Sequence, residues 1–437
     1  MSNIKIEKDF SRKIEKQYKK RSRLVKILTL VFIIIFIFSF LILLSLGDPY
    51  IIPLDVIWIL FRYRFGDPSI VFPIVLFSFL NNNFYRIFEL CYVLVFEIRM
   101  PRILLAFIVG LSLSISGIVM QGIFRNPLAD PYILGVSSGG GLGATLAIYF
   151  KVALILKVWT FATMMNYFTI DVGYAYTISD LAFKLGTSLF SFLFACLITF
   201  LIYFLARTKR TISIETLLLA GIALSYIFAS ITQILLLFSR EEIHQMFIWG
   251  IGGFSGAEWL DVIIVAPITV FLTIVLLVYG KDINVMVFGD DMAKSMGTNI
   301  QKTRRNLIIL VSLMTSLAVA FTGPIGFVGL ICPHILRLIV GNNHRSLMPL
   351  AALFGGLFLI WMDFIAQTGF YAVDNNLVYI TAYIRTALSE FVPPQILDYI
   401  LGGPTLAGDI PVGIITSLIG GPFFIILLLT KRKKIFM

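Results

Sequence analysis

Long apolar stretches without charge constrain this chain more than any other feature. Residues Ile27–Gly47 carry no charged side chain over 21 positions, and a helix of that length spans the roughly 30 Å hydrocarbon core of a bilayer. The chain is 59% hydrophobic and 14% charged, whereas about 25% of residues in soluble domains are charged. The first stretch is too long for a signal peptide, and no small-residue cleavage site follows it. The sequence therefore predicts an all-α polytopic membrane protein.

About ten transmembrane helices are expected in a single transmembrane domain over 24–430, between a basic segment 1–23 and a basic tail 431–437. The predicted spans are roughly 24–46, 100–121, 128–150, 181–206, 214–239, 260–280, 306–322, 325–341, 347–368 and 411–430. A brief surface helix is expected within 246–259, and long insertions at about 48–98, 151–180 and 369–409.

The charges divide unequally between the two sides of this topology. The side of the N-terminus carries 25 Lys and Arg and 8 Asp and Glu, and the opposite side carries 10 and 16. Because Lys and Arg are retained in the cytoplasm, both termini are expected to be cytoplasmic, in a multi-pass protein of the plasma membrane. The net charge of +11 then reflects topology and contact with anionic lipid. Nucleic-acid binding is not expected.

Residue patterns for metal binding and nucleotide hydrolysis do not occur in the chain. Cys91, Cys196 and Cys332 lie far apart without a CxxC pair, and His244 and His334 have no second ligand at helical spacing. The segment "GDDMAKS" has lysine where a phosphate-binding loop requires glycine. We therefore expect neither a metal site nor a bound cofactor. Any ATP and Mg²⁺ would be used by a separate subunit.

The stretch "QGIFRNPLADPYILGVSSGGGLG" breaks an otherwise apolar region. Pro127 and Pro131 cannot continue an α-helix, and broken helix within a membrane lies against protein or a water-filled cavity. Gly135, Gly139 and Gly143 then recur every four residues, which allows close approach of another helix. Ser112 and Ser116 of the preceding span offer a matching small face. The spacing is equally compatible with a transport role and with ordinary helix packing.

The segment "GDDMAKSMGTNIQKTRR" has the pattern of a short amphipathic helix between two glycines. Such a helix buries its apolar face either against its own chain or against another subunit.

Three ordered segments resemble the FecCD/BtuC-type permeases, the membrane subunits of ABC importers for iron–siderophores, haem and cobalamin. They begin "RMPRILLAFIVGLSLSISGIVMQGIFRNPLADPYILGVSSGGGLGA", "GDDMAKSMGTNIQKTRRN" and "GDIPVGIITSLIGGPFF". The resemblance implies a type II ABC importer (BtuC-like) permease fold. It also implies two copies of this chain, two ABC ATPase subunits and an extracytoplasmic substrate-binding protein.

The resemblance assigns residues to ATPase coupling and to docking of the binding protein, and the helix break itself predicts residues of the translocation path. The ATPase-coupling segment comprises Gly289, Asp290, Asp291, Met292, Ala293, Lys294, Ser295, Met296, Gly297 and Thr298. The translocation path and helix break comprise Gln121, Asn126, Pro127, Asp130, Pro131, Gly135, Gly139 and Gly143. The path is expected to be lined by spans two, three, five and eight.

Arg99 and Arg102 are assigned to docking of the binding protein, although interfacial arginines also extend toward lipid headgroups. A third docking arginine of the family is replaced by Gln367, and Arg385 is a candidate substitute.

The chain is expected to be a transport subunit rather than an enzyme. An ion-coupled secondary transporter or a passive channel is the alternative, but ion-coupled transporters use intramembrane carboxylates or histidines, which are nearly absent from the span centres. A membrane enzyme would need clustered His, Asp or Glu, and no such cluster occurs.

Overall fold

The structure of the chain is a computed structural model. The described backbone covers 2–46, 51, 56, 91–150, 172–208, 211–239, 242–388 and 410–435. Side chains are described for 22–46, 51, 56, 91–150, 181–207, 213–239, 242–368 and 410–429. The side chains of Arg385, of the tail 431–437 and of most residues in the three predicted insertions lie outside the described side-chain ranges.

Thirteen α-helices occupy the described residues. In chain order they are α1 Ser2–Ser45, α2 Met100–Phe124, α3 Val136–Tyr149, α4 Val172–Ala206, α5 Ile214–Phe238, α6 Ile243–Ile251, α7 Trp259–Val278, α8 Gly280–Val287, α9 Asp290–Ser295, α10 Ile300–Thr322, α11 Val328–Val340, α12 His344–Leu388 and α13 Val412–Ile435. A π-helix, Val93–Arg99, leads into α2, and a 3₁₀-helix, Pro131–Leu134, precedes α3. The strands β1 Arg207–Thr208 and β2 Thr211–Ile212 form a small antiparallel hairpin between α4 and α5.

Eight of the predicted spans are confirmed as helices long and apolar enough to cross a membrane within the described residues. The other two, the third and the eighth, are shorter than expected. They correspond to α3 and α11, with 14 and 13 residues, which span only about 20 Å each. Irregular segments that contain proline and glycine precede both helices. The surface helix expected over 246–259 is α6, which begins slightly earlier and ends before Gly252.

Helix α2 forms the centre of the bundle. It packs against α7, α10, α11 and α12, and 78% of the residues in its apolar 18-residue stretch are buried. Helix α3 packs mainly against α4 and α5. By contrast, only 6% of the residues in the apolar 18-residue stretch of α5 are buried. Most of the surface of α5 is therefore not covered by the rest of this chain. The end of the bundle that carries Arg125 and residues 289–298 is called the break end, and the opposite end the Arg99 end.

Candidate functional site: the broken helices and the coupling segment

The predicted break after α2 is confirmed, and local side chains cap it. Helix α2 ends at Phe124 and is followed by Arg125, which adopts a left-handed conformation with φ of 51°. The Asn126 side chain accepts a hydrogen bond from the Leu128 N–H at 3.0 Å. The Asp130 carboxylate accepts one from the Tyr132 N–H at 2.8 Å and so caps the 3₁₀-helix. The polar residues of the motif thus satisfy backbone groups that the two prolines leave without helical partners.

Tyr132 joins this break to the second irregular segment, which lies between α10 and α11. Its hydroxyl donates to the Ile325 carbonyl and accepts from the Ile325 N–H, both at 3.0 Å. Nearby, the Gln121 amide donates to the Gly329 carbonyl at 3.1 Å. The two interrupted crossings therefore supply part of each other's hydrogen bonding, which satisfies backbone that cannot be left unpaired in a membrane. The importance of Tyr132 was not predicted, because its partner is 193 residues away.

The glycine face of α3 packs against α4 and not against α2. A Cβ atom placed on Gly143 would lie 2.3 Å from the Phe190 carbonyl oxygen, and one on Gly139 would lie 2.6 Å from that of Phe194. Gly135 has φ of 72° and faces Ile198. Side-chain-free positions are therefore required here for contact between the two helices.

The expectation that Ser112 and Ser116 provide the matching face is wrong. Ser112 donates instead to the Met314 carbonyl of α10 at 3.2 Å, and Ser116 is buried in α2. The glycine spacing indicates that a helix approaches closely but contains no information on which one.

Close contacts of α2 depend on glycines that were not predicted to be important. A Cβ atom placed on Gly110 would clash with the Gly355 carbonyl of α12, and one placed on Gly117 would clash with the Gly329 carbonyl of α11. The seven-residue separation of Gly110 and Gly117 places both on nearly the same side of α2. That spacing was the available signal for these contacts.

The predicted amphipathic segment forms a single short helix, α9, between two glycines. Gly289 and Gly297 have φ of 118° and 82°, a conformation that L-residues rarely adopt. Ala293 is buried against the chain. Met292 and Met296 remain 57% and 62% exposed, and the adjacent Phe288 is 75% exposed. The apolar side of the segment is thus only partly covered within this chain.

Asp290 connects α9 to the break. Its carboxylate forms an ion pair with Arg125, and the buried Arg304 lies 3.3 Å from it. The Arg125 guanidinium also donates to the Met286 carbonyl at 2.8 Å. Burial raises the pKa of Asp290, but Arg304 and Arg125 lower it more, so the pKa lies below its ordinary value. A change in the position of α9 would therefore act directly on the residue that ends α2.

Arg99 and Arg102, the predicted docking arginines, both contact their own chain. Arg99 donates to the Leu44 carbonyl at the end of α1 at 2.8 Å. Arg102 forms a bidentate ion pair with the buried Asp363 at 2.8 and 2.9 Å. The Gln367 amide donates to the same carboxylate at 2.8 Å. Gln367, which stands where the family pattern has arginine, therefore supports the Arg102–Asp363 pair.

A second ion pair lies at the Arg99 end. Lys184 of α4 contacts the buried Asp261 at 2.7 Å and Glu258 at 3.3 Å. Asp261 and Asp363 thus each have a cationic partner. Neither partner was predicted, because nothing in the local pattern of one helix identifies a residue on another.

The described residues contain no group of three or more His, Cys, Asp or Glu placed to hold a metal ion. The His334 ring stacks edge-on against Phe423, with ring centroids 5.7 Å apart.

Known proteins share both the sequence and the architecture of this chain. Residues 33–387 match the FecCD transport family. The cobalamin import system permease protein BtuC of Halobacterium salinarum is 35% identical, over 79% of this chain and 76% of its own length. The hemin transport system permease protein HmuU of Yersinia pestis is 31% identical, over 77% of this chain and 84% of its own.

Structural similarity extends over almost the whole chain. An inward-facing structure described as a metal-chelate type ABC transporter matches with a TM-score of 0.62 and 26% identity. It covers 93% of this chain and 99% of the other. The match over most of the sequence, together with the shared fold, shows that this polypeptide is a membrane permease of the FecCD transport family.

Proposed function

We propose that this chain is the membrane-spanning subunit of an ABC importer that takes up an iron–siderophore, haem or cobalamin type of substrate. The observation that carries the proposal is α9, a short helix between two positive-φ glycines that presents uncovered apolar side chains at the break end. Relatives named for cobalamin and hemin transport support the substrate class. The chain itself binds no nucleotide in this proposal.

The ATPase contact is the segment Gly289–Thr298 together with the exposed Phe288. Apolar side chains that are exposed together on a polar surface mark a protein or membrane contact, and the charged residues Asp290, Asp291 and Lys294 of α9 favour a protein. The Arg125–Asp290 ion pair supports transmission of force, because it joins the segment to the end of α2. A separate subunit hydrolyses ATP with Mg²⁺, and its closure displaces α9.

The assembly contains two copies of this chain, two ATPase subunits and one extracytoplasmic binding protein. Helix α5, which is almost uncovered in the single chain, faces lipid and the second copy. A two-fold axis would make the two copies line one path with equivalent surfaces. The excess of Lys and Arg on the N-terminal side supports cytoplasmic termini and a cytoplasmic break end.

The translocation path runs beside the broken segments, where Gln121, Asn126, Pro127, Asp130 and Pro131 interrupt the helices. The glycines of α3 contribute by holding α3 against α4, which shapes the wall of the path. Arg99 and Arg102 remain the proposed docking points for the binding protein, with Asp363 and Gln367 orienting Arg102.

A secondary transporter is the weaker alternative. Ion coupling uses carboxylates that exchange their cation during transport. Asp261 and Asp363, the buried carboxylates of the apolar helices in the described part of the chain, are each held by Lys or Arg.

The coupling contact can be tested with Gly297→Trp in the assembled transporter. No atom outside its immediate neighbours lies within 4 Å of a Cβ placed at Gly297, so the indole would project into the space assigned to the ATPase. We expect a folded permease whose ATP-driven uptake falls roughly tenfold or more. A change of that size lies within the range that the coupling free energy between two sites typically produces. Uptake into proteoliposomes and copurification of the ATPase subunit are measured.

Gly341→Trp is the matched control, because Gly341 also lies at the break end, has φ of 81° and has similar open space. It carries the same backbone strain and lies outside Gly289–Thr298. Equal uptake and equal ATPase retention by the two variants would exclude Gly289–Thr298 as the coupling contact.

A further inference from the structure

A cavity of about 340 Å³ opens at the break end, where α2, α11 and α12 meet. Its volume lies within the range of small-molecule sites. Its polar lining includes Gln121, Arg125, Arg337 and His344. None of the described lining residues is an aspartate or a glutamate, so the cavity is electropositive.

Arg337 is the main cation of this cavity, and its guanidinium has no partner among the described side chains. It is partly buried in the last turn of α11, and it makes no hydrogen bond or ion pair with any residue whose side chain the structure describes. A desolvated guanidinium without an anion is unfavourable. Arg125 adds a second guanidinium to the lining, although it is also paired with Asp290.

Two buried acceptor atoms of the same lining have no partner. His344 and Gln121 are 4% and 3% exposed, and the His344 Nε2 and Gln121 Oε1 atoms form no hydrogen bond among the described residues. The Asn284 Oδ1 atom lies 2.8 Å from His344 Nδ1 and also accepts from the His344 backbone N–H. His344 Nδ1 therefore carries the proton. Neither His344 Nε2 nor Gln121 Oε1 has appreciable exposed surface, so a ligand in the cavity does not reach these two atoms.

The rim of the cavity is apolar. Leu338 is 77% exposed, and Val287 is also exposed. A ligand that suits this site must provide anionic oxygens for arginine and an apolar portion for the rim. Basic pockets between transmembrane helices are known to hold the headgroups of anionic lipids.

We infer that this cavity binds the phosphate headgroup of an anionic lipid, with the phosphate on Arg337 and Arg125. An acyl chain then lies over Leu338. Because Arg125 also contacts Asp290, the lipid is placed beside the link between α2 and α9. The inference depends on the membrane location of the chain and not on its transport partners.

The test uses the full-length chain in detergent, delipidated and titrated with phosphatidylglycerol, phosphatidic acid or phosphatidylcholine. Bound lipid is counted by native mass spectrometry. Phosphatidylglycerol and phosphatidic acid should both bind more tightly than phosphatidylcholine, whose headgroup carries no net charge. Arg337→Gln should weaken phosphatidylglycerol binding about tenfold, the usual effect of losing one charge-assisted hydrogen bond. Arg337→Lys should restore most of it.

Arg345→Gln is the matched control, because Arg345 is an exposed arginine at the same end but outside the lining. Its loss should change lipid binding less than twofold. Without lipid, Arg337→Gln should unfold at the same temperature as the unmodified chain or higher, because it removes an unpaired charge.

Three results would overturn the inference. The first is equal binding of phosphatidylglycerol and phosphatidylcholine, or equal binding by the Arg337→Gln and Arg345→Gln variants. The second is displacement of the lipid by soluble glycerol 3-phosphate, which would assign the site to a free metabolite. The third is unchanged lipid binding in Arg337→Gln with weaker association of the ATPase subunit, which would make the cavity part of a protein interface.

Discussion

Replacing Tyr132 by phenylalanine tests whether the two broken crossings depend on each other. The substitution removes one hydroxyl and preserves the ring. That hydroxyl makes two hydrogen bonds of 3.0 Å with the backbone of Ile325, and the Ile325 side chain is almost completely buried. The variant therefore leaves one N–H and one C=O group unpaired inside the bundle.

Each buried group left unpaired costs about 1–3 kcal/mol. Carbonyl groups tolerate a missing partner better than N–H groups, so we expect the free energy of unfolding to fall by roughly 2–4 kcal/mol. The loss is measured by reversible unfolding in mixed micelles. Hydrogen exchange should also accelerate locally at the segment between α10 and α11, because the Ile325 amide loses its acceptor.

Tyr226→Phe provides the control, because Tyr226 is 72% exposed on α5 and its loss should cost less than about 0.5 kcal/mol. If Tyr132→Phe and Tyr226→Phe unfold alike and exchange at Ile325 stays slow, the hydroxyl does not hold the two segments together.

Two further substitutions test the contacts at α3 and at Arg102. Gly143→Val should destabilise the fold by about 1–3 kcal/mol or more, because its Cβ would meet the Phe190 carbonyl oxygen. Gly141→Val is the control and should be tolerated, since the nearest atom to a Cβ placed there is 4.0 Å away. Equal folded yields of the two variants after heating would exclude tight packing of α3 against α4. Arg102→Gln should lower the free energy of unfolding by about 3–5 kcal/mol, measured by thermal unfolding, because it leaves the Asp363 carboxylate buried without its cation. If stability is unchanged and affinity for the binding protein at low salt is weaker, docking is the main role of Arg102.

Several structural elements could be predicted from short stretches of sequence because their causes are local. A charge-free stretch such as Ile27–Gly47 can satisfy its backbone in lipid only as a helix. Pro127 and Pro131 end a helix wherever they stand, since proline lacks an N–H group. The positive φ at Gly289 and Gly297 likewise suits glycine alone, and these two residues delimit α9 as predicted.

Partners across the bundle were not predictable in the same way. Arg102 and Asp363 are 261 residues apart, and each has the sequence context of an ordinary interfacial residue. The glycines of α3 were expected to face α2, but they face α4. A glycine face permits close approach by any helix, so the choice of neighbour depends on how all the helices pack together.

The sequence by itself determined which segments are long and apolar enough to cross a membrane, where two apolar segments are interrupted and where the short helix α9 lies between its two glycines. These properties follow from hydropathy and backbone stereochemistry within a few residues. Only the tertiary structure decided that Tyr132 bonds to Ile325, that Arg125 reaches Asp290 and that Arg337 lines a cavity with His344. Such contacts depend on the relative positions of separate helices, which local residue patterns do not specify.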